Sequence, residues 1–118
     1  MCSLVAKAVP QIKKNQSLRL FKSGRKDIAD GEQKRDFIYI KDVVEIILHF
    51  WQSSMSHQAE NIVQSGIYNV GTGKARSFAD LGRAVFSALD LPCQFKWVET
   101  PLELRAGYQY FTEADLER

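Results

Sequence analysis

The chain has 118 residues, 45% of them hydrophobic and 25% charged, an ordinary globular composition that excludes a disordered tail, a collagen-like repeat and a disulfide scaffold. Sixteen Lys and Arg against fourteen Asp and Glu leave a net charge of +2. Basic residues gather at Lys13-Lys14, across 22–26 and at Lys34-Arg35, but without the continuous excess of a nucleic-acid surface, so no nucleic-acid partner is expected.

The length suits one module with a real core and excludes most two-domain enzymes as complete molecules. No apolar run approaches the roughly 18 residues that span a bilayer, and no charged, apolar and cleavable leader appears; a soluble cytoplasmic protein without a membrane partner is expected. Cys2 and Cys93 have no metal-ligand spacing, so two free thiols are the default reading, with a single disulfide left open.

Leu4, Val5, Ala8 and Ile12 recur at helical spacing across residues 1–14, and Pro10 should kink or end that helix near its third turn. Residues 18–21 alternate apolar and basic side chains, as a strand does. Residues 22–34 hold Ser23-Gly24, Asp30-Gly31 and many charges, a loop of about a dozen residues, and loops of that length are often functional. Residues 36–40 read as a short strand or an extended lead-in.

Asp42 is placed to cap the clearest helix, with Glu45 completing a capping box. Val43, Ile47, Phe50 and Trp51 line its apolar face, with Val44 and Leu48 beside it. That helix should give out near Gln52-Ser53-Ser54, before a polar linker to Ser65. A strand over 67–70, the tight turn Gly71-Thr72-Gly73 and a helix capped by Ser77 with Asp80 follow. Phe78, Leu81, Val85 and Ala88 or Leu89 form the expected buried stripe. Pro92 closes the helix, and residues 95–98 make a strand with Phe95 and Trp97 on one side. Pro101 starts a one-turn helix carrying Glu103 and Arg105. Thr112 and Asp115 predict a last helix running into Arg118, so short that both chain ends read as cut. This alternation of strands and helices fits a small α/β or α+β unit.

No complete catalytic constellation emerges, and no metal site is expected: His49 and His57 lack partners at metal spacing. The Gly71-Thr72-Gly73 turn lies between an expected strand and a helix, where backbone N–H groups can face an anion. It lacks the spacing of a dinucleotide fingerprint and the Walker signature, so a simple turn is the alternative. Arg35 leaves the long loop, where a guanidinium can hold a phosphate through paired bonds that lysine cannot copy; an exposed arginine pairing with Asp36 or another carboxylate is the alternative. Tyr108 follows Gly107 in an aromatic-dense segment and can stack on a base or donate to a phosphate. Its alternative is half-buried packing.

The stretch DGEQKRDFIYIKDVV at 30–44 carries the Arg-Asp-aromatic and Asp-Val pattern of the extended short-chain dehydrogenase/reductases, and GIYNVGTGKARSF resembles their Asn-Val-Gly-Thr-Gly turn. LRLFKSG and ELRAGYQYFTEADL narrow the resemblance to the ADP-L-glycero-D-manno-heptose 6-epimerase family, over nearly the whole chain. The resemblance implies an α/β (mixed α+β) substrate-binding lobe over residues 1–118, the C-terminal part of an enzyme that inverts a heptose carbon by transient oxidation, for lipopolysaccharide core assembly.

It further implies a separate Rossmann domain that binds NADP and supplies the catalytic tyrosine and lysines. No Gly-x-x-Gly-x-x-Gly and no Tyr-x-x-x-Lys occurs here. Catalytic and cofactor-binding residues are therefore not expected in this chain, nor is activity from it alone; a homo-oligomer is compatible with the resemblance. The family's substrate-contacting loop falls on Phe21, Lys22, Ser23 and Gly24, its phosphate-binding arginine on Arg35 and its late substrate-contacting tyrosine on Tyr108, all serving ADP-heptose rather than the dinucleotide. The chain departs from the family at Ala106-Gly107, where members carry larger, often basic residues. A non-catalytic nucleotide-sugar-binding remnant and a fragment of another nucleotide-sugar epimerase or dehydratase are the alternatives.

Overall fold

The computed structural model describes residues 3–55 and 64–117; expectations resting on Met1, Cys2, His57, Arg118 and most of the polar linker lie outside the described residues. The chain divides into two compact units, one of Met1–Arg35 with Ala75–Thr112 and the other of Asp36–Lys74 with Glu113–Arg118.

In the first unit, β1 (Leu18–Phe21) pairs in parallel with β4 (Phe95–Val98), Leu18 opposite Phe95 and Phe21 opposite Val98. Alternation along β1 buries Leu18 and Leu20 and leaves Arg19 and Phe21 exposed. The buried pair joins Ala8 and Ile12 of α1 (Leu4–Asn15) and Val85 and Phe86 of α3 (Phe78–Ala88) in one core. Burying each large side chain there contributes about 1.5–3 kcal/mol.

Pro10 does not end α1, which runs on to Asn15. The proline removes one backbone bond, while Ala8 and Ile12 on either side of it are both buried against the core. Gln16 ends the helix instead, in a left-handed conformation (φ 54°) with its N–H on the Ile12 carbonyl.

Residues 22–33 form the expected loop. The Ser23 N–H donates to the Asp30 carboxylate at 2.8 Å, and Arg25 pairs with Asp27. Gly31 has φ 79°, and its carbonyl accepts the Ala79 N–H at 2.9 Å. A Cβ on Gly31 would lie 2.8 Å from the Trp97 ring, so no other residue fits this turn without displacement. Beyond the loop, β2 (Lys34–Arg35) pairs antiparallel with β3 (Arg76–Ser77). Ser77 caps α3 as its sequence predicts, accepting the Asp80 N–H at 3.0 Å.

The buried face of α3 differs from the expected one. Ala79, Gly82, Val85 and Phe86 are buried, Phe78 and Leu89 pack at the rim and Leu81 is half-buried. The cause is close approach: a Cβ on Gly82 would meet the Phe95 ring at 2.7 Å and Leu18 at 3.2 Å. Small residues bring this face onto the strands, a preference that counting large apolar residues passes over. The one-turn helix α4 (Leu102–Arg105) starts after Pro101, as expected.

In the second unit, α2 (Ile40–Met55) begins two residues ahead of Asp42. The Val43 N–H bonds to the Tyr39 carbonyl. Asp42 therefore sits inside the first turn, favoured by the positive end of the helix, and does not cap it. The expected apolar face is only partly covered: Val43 and Phe50 are half-buried, whereas Ile47 is 59% and Trp51 58% exposed, with Ile40, Val44, Leu48 and Met55 exposed alongside. Phe50 packs its ring on Tyr68, centroids 5.0 Å apart.

Neither 36–39 nor 67–70 forms a strand, because no ladder partner reaches them among the described residues. The helix predicted from Thr112 is also absent. The Ala114 N–H goes to Asp36 and the Glu117 N–H to the Asp115 side chain, so these donors satisfy local and turn contacts instead. Among the described residues no helix is long and apolar enough to cross a membrane.

Candidate functional site

A cavity of about 570 Å³ opens in the first unit against α1, β1, β2 and the start of α3. Among the described residues its charged lining is Lys7 of α1, Arg19 of β1 and Arg35 of β2, all cations, with no carboxylate. Leu4, Phe21, Phe78 and Val98 add apolar wall. Such a cavity, apolar with a few convergent charges of one sign, suits an anionic ligand with an aromatic or hydrocarbon body.

Arg35 is oriented from both sides. Its Nη1 donates to the Lys34 carbonyl at 2.8 Å, and its guanidinium carbon lies 5.7 Å from the Phe78 ring centre and 5.9 Å from that of Tyr108. Two aromatic faces hold the planar fork at a fixed attitude, which a lysine could not adopt. Burial pushes the Tyr108 phenol above its usual value, with Arg35 opposing. Its O–H is therefore a donor at neutral pH.

Phe21, Arg35 and Tyr108 thus line one cavity, whereas Lys22, Ser23 and Gly24 do not. Lys22 pairs with Glu99 at 2.7 Å, and that hydrogen bond raises the Lys22 pKa. Ser23 is buried, with its hydroxyl bonded inside the loop to the Arg25 backbone. Gly24 has φ 72° and lies beneath the Tyr110 hydroxyl. These three shape the loop that leaves β1. Sequence reasoning passed over Lys7, Gln11, Arg19 and Gln33, all in the cavity wall. The i, i+4 relation of Lys7 to Gln11 and the i, i+2 relation of Arg19 to Phe21 were the available signals.

The Gly71-Thr72-Gly73 turn does face an anion, and that anion is internal. Asp36 Oδ1 accepts the Thr72 N–H at 2.8 Å and also the Thr72 hydroxyl. Its Oδ2 accepts the Gly73 N–H at 2.9 Å and the Ala114 N–H at 3.1 Å. The Thr72 hydroxyl, followed by the backbone donors, holds the Asp36 pKa down to about 2. A dinucleotide phosphate does not fit this turn, because Asp36 occupies its donors. His49 is exposed on α2, at 6.2 Å edge-on to Phe50, and no metal-binding cluster occurs among the described residues. Cys93 is exposed and free.

The first unit is thus a mixed helix-and-strand unit with a cationic, aromatic-walled cavity whose chemistry suits an anionic ligand. The chain belongs to the NAD dependent epimerase/dehydratase family, whose model matches residues 1–71. More particularly, it is 45% identical over 124 residues to the ADP-L-glycero-D-manno-heptose-6-epimerase of Fusobacterium nucleatum, a match over 100% of this chain and 35% of that protein. The enzyme of the same name from Nitratidesulfovibrio vulgaris (strain DP4) is 43% identical, over 100% of this chain and 34% of its own length. The chain therefore spans about a third of the length of these curated relatives.

Among solved structures, the Helicobacter pylori ADP-L-glycero-D-manno-heptose-6-epimerase superposes with a TM-score of 0.56 at 25% identity, over 96% of this chain and 33% of that one. The UDP-N-acetylglucosamine 4-epimerase from Methanobrevibacter ruminantium M1, solved with UDP-N-acetylmuramic acid, gives a TM-score of 0.72 at 22% identity, over 98% of this chain and 31% of that one. The latter likeness is one of fold.

Proposed function

We propose that this chain is the substrate-binding lobe of an ADP-L-glycero-D-manno-heptose 6-epimerase. That enzyme converts ADP-D-glycero-D-manno-heptose to its L-glycero epimer in the cytoplasm, for lipopolysaccharide core precursors. The observation that carries the reading is the cavity whose charged lining is wholly cationic, in a chain 43–45% identical to enzymes of that name. Arg35 takes the diphosphate with its fork held between Phe78 and Tyr108. The Tyr108 O–H adds a donor, Phe21 offers its ring to the adenine, and Lys22, Ser23 and Gly24 fix the loop that follows.

Holding the substrate by its non-reacting end is an orientation role, which contributes to the rate through positioning. In this reading NADP is the redox group, held by a partner Rossmann domain, and no step of the redox chemistry is assigned to a residue of this chain. The exposed apolar stripe of α2 suits docking onto that domain. The lobe alone is not expected to turn over substrate.

Titration calorimetry with ADP and ADP-mannose, on the wild-type chain and on Arg35→Ala, tests the reading. Wild type is expected to bind, and Arg35→Ala to bind at least about tenfold more weakly, as the loss of a charge-assisted pair requires. Indistinguishable heats refute the clamp.

A further inference from the structure

Gln33 is 1% exposed and sits in the cavity wall. Its backbone is pinned, since its carbonyl accepts the Phe78 N–H at 3.1 Å. Its side chain is not. Nε2 reaches the Phe21 carbonyl at 3.4 Å, long for an N–H···O bond. Oε1 is shut off from solvent and, among the described residues, accepts no hydrogen bond. Native structures rarely leave a buried acceptor in this condition without a reason. This acceptor belongs to a residue lining the cavity that Lys7, Arg19 and Arg35 also line.

We propose that Gln33 is a specificity-determining residue: its Oε1 accepts a hydrogen bond from an N–H or O–H on the nucleoside half of a nucleoside diphosphate bound in this cavity. The inference rests on the nucleotide-sugar reading given above. Three features favour the nucleoside half. The Gln33 amide lies 3.4 Å from the carbonyl of Phe21, the exposed ring of the wall. Gln33 and Arg35 both line the cavity and lie two residues apart on an extended stretch, about 7 Å along the chain. That separation matches the step from a diphosphate to its ribose or base. Finally, the wall is rich in cations for the phosphates, whereas Oε1 is an acceptor and suits a donor. The terminal torsion of a glutamine side chain is soft, so a modest rotation turns Oε1 into the cavity when a donor arrives.

The test uses Gln33→Met, which keeps the volume and removes the acceptor. The variant is expected to melt at or above the wild-type temperature, since an orphaned acceptor has been replaced by an apolar group. It is also expected to bind ADP about tenfold more weakly. Binding of ADP, its 2′-deoxy and 3′-deoxy forms and inosine diphosphate to both proteins then locates the donor. The analogue lacking it loses affinity for wild type but not for Gln33→Met, the signature of direct coupling. Wild-type affinity in Gln33→Met, or a loss equal for ADP and all three analogues, overturns the proposal. If Arg35→Ala weakens ADP while Gln33→Met does not, the Gln33 inference falls and the clamp stands. If ADP does not bind the wild-type chain, both fall.

Discussion

Asp36→Asn removes one oxygen from the second unit and should be felt across all of it. In wild type, Oδ1 accepts two donors from Thr72, and Oδ2 accepts the Gly73 and Ala114 N–H groups. An asparagine of the same size loses the charge and turns an NH₂ toward two of these donors, whichever way its amide is flipped. The shift of the Asp36 pKa from 3.8 to about 2 corresponds to about 2.5 kcal/mol at most. Asp36 is half-buried, so solvent screening reduces this to about 1–1.5 kcal/mol. The opposed donors add about 1 kcal/mol. A total near 2 kcal/mol lowers Tm by roughly 5–10 °C and speeds hydrogen exchange at the Thr72, Gly73 and Ala114 amides by roughly 30-fold.

The pH dependence has a definite sign. The folded-state pKa is depressed, so the carboxylate's contribution is present above the unfolded value near 3.9 and is lost as pH falls through about 2. Wild type should lose this increment between about pH 4 and pH 2, and Asp36→Asn should show no such loss. In NMR titrations the three amides should move with a midpoint near 2. A variant with wild-type Tm, together with amides titrating near the ordinary carboxylate value, would refute the reasoning.

Truncating Phe86 to Ala removes one of the most buried side chains of the core and should cost about 3–5 kcal/mol, read as a fall in the urea midpoint. Gly31→Ala forces a side chain onto φ 79° and into the Trp97 ring; a loss of about 2 kcal/mol is expected by the same measurement, and no change would show that the turn relaxes. Ile47→Lys with Trp51→Lys, both on the exposed face of α2, should reduce concentration-dependent association in sedimentation velocity while leaving the circular dichroism spectrum unchanged.

Elements whose signals are local were legible in the sequence. β1 and β4 follow from alternation, the start of α3 from Ser77 and α4 from Pro101. Expectations that depended on distant partners were not. The Gly71-Thr72-Gly73 turn announced an anion site, yet its anion comes from Asp36, more than thirty residues earlier. Nothing in GIYNVGTG discloses that. Residues 67–70 have the composition of a strand but no ladder partner among the described residues. Similarly, the apolar periodicity of α2 marks a face to be buried without saying by what, and Ile47 and Trp51 of that face are exposed. Arg35 was recognisable as a phosphate-binding candidate from its place after a polar loop. Its orientation was not, because Phe78 and Tyr108 reach it from segments far along the chain. Gln33 gave no signal at all: only the three-dimensional wall shows its orphaned oxygen.

The parallel pairing of β1 with β4 has a consequence for how the chain comes to be folded. Lys22 and Glu99, at matching ends of the two strands, are 77 residues apart in sequence. At ribosomal speeds of roughly 5–20 residues per second, β1 waits on the order of 4–15 seconds for its neighbour to be made. For most of that interval Leu18 and Leu20 have α1 beside them but neither α3 nor, to the end of it, β4 to cover them. Non-local parallel pairing is also slow once the whole chain is available. Synthesis at low temperature, or with chaperones that shelter apolar segments, should therefore raise the yield of native protein more than any change made to the finished fold.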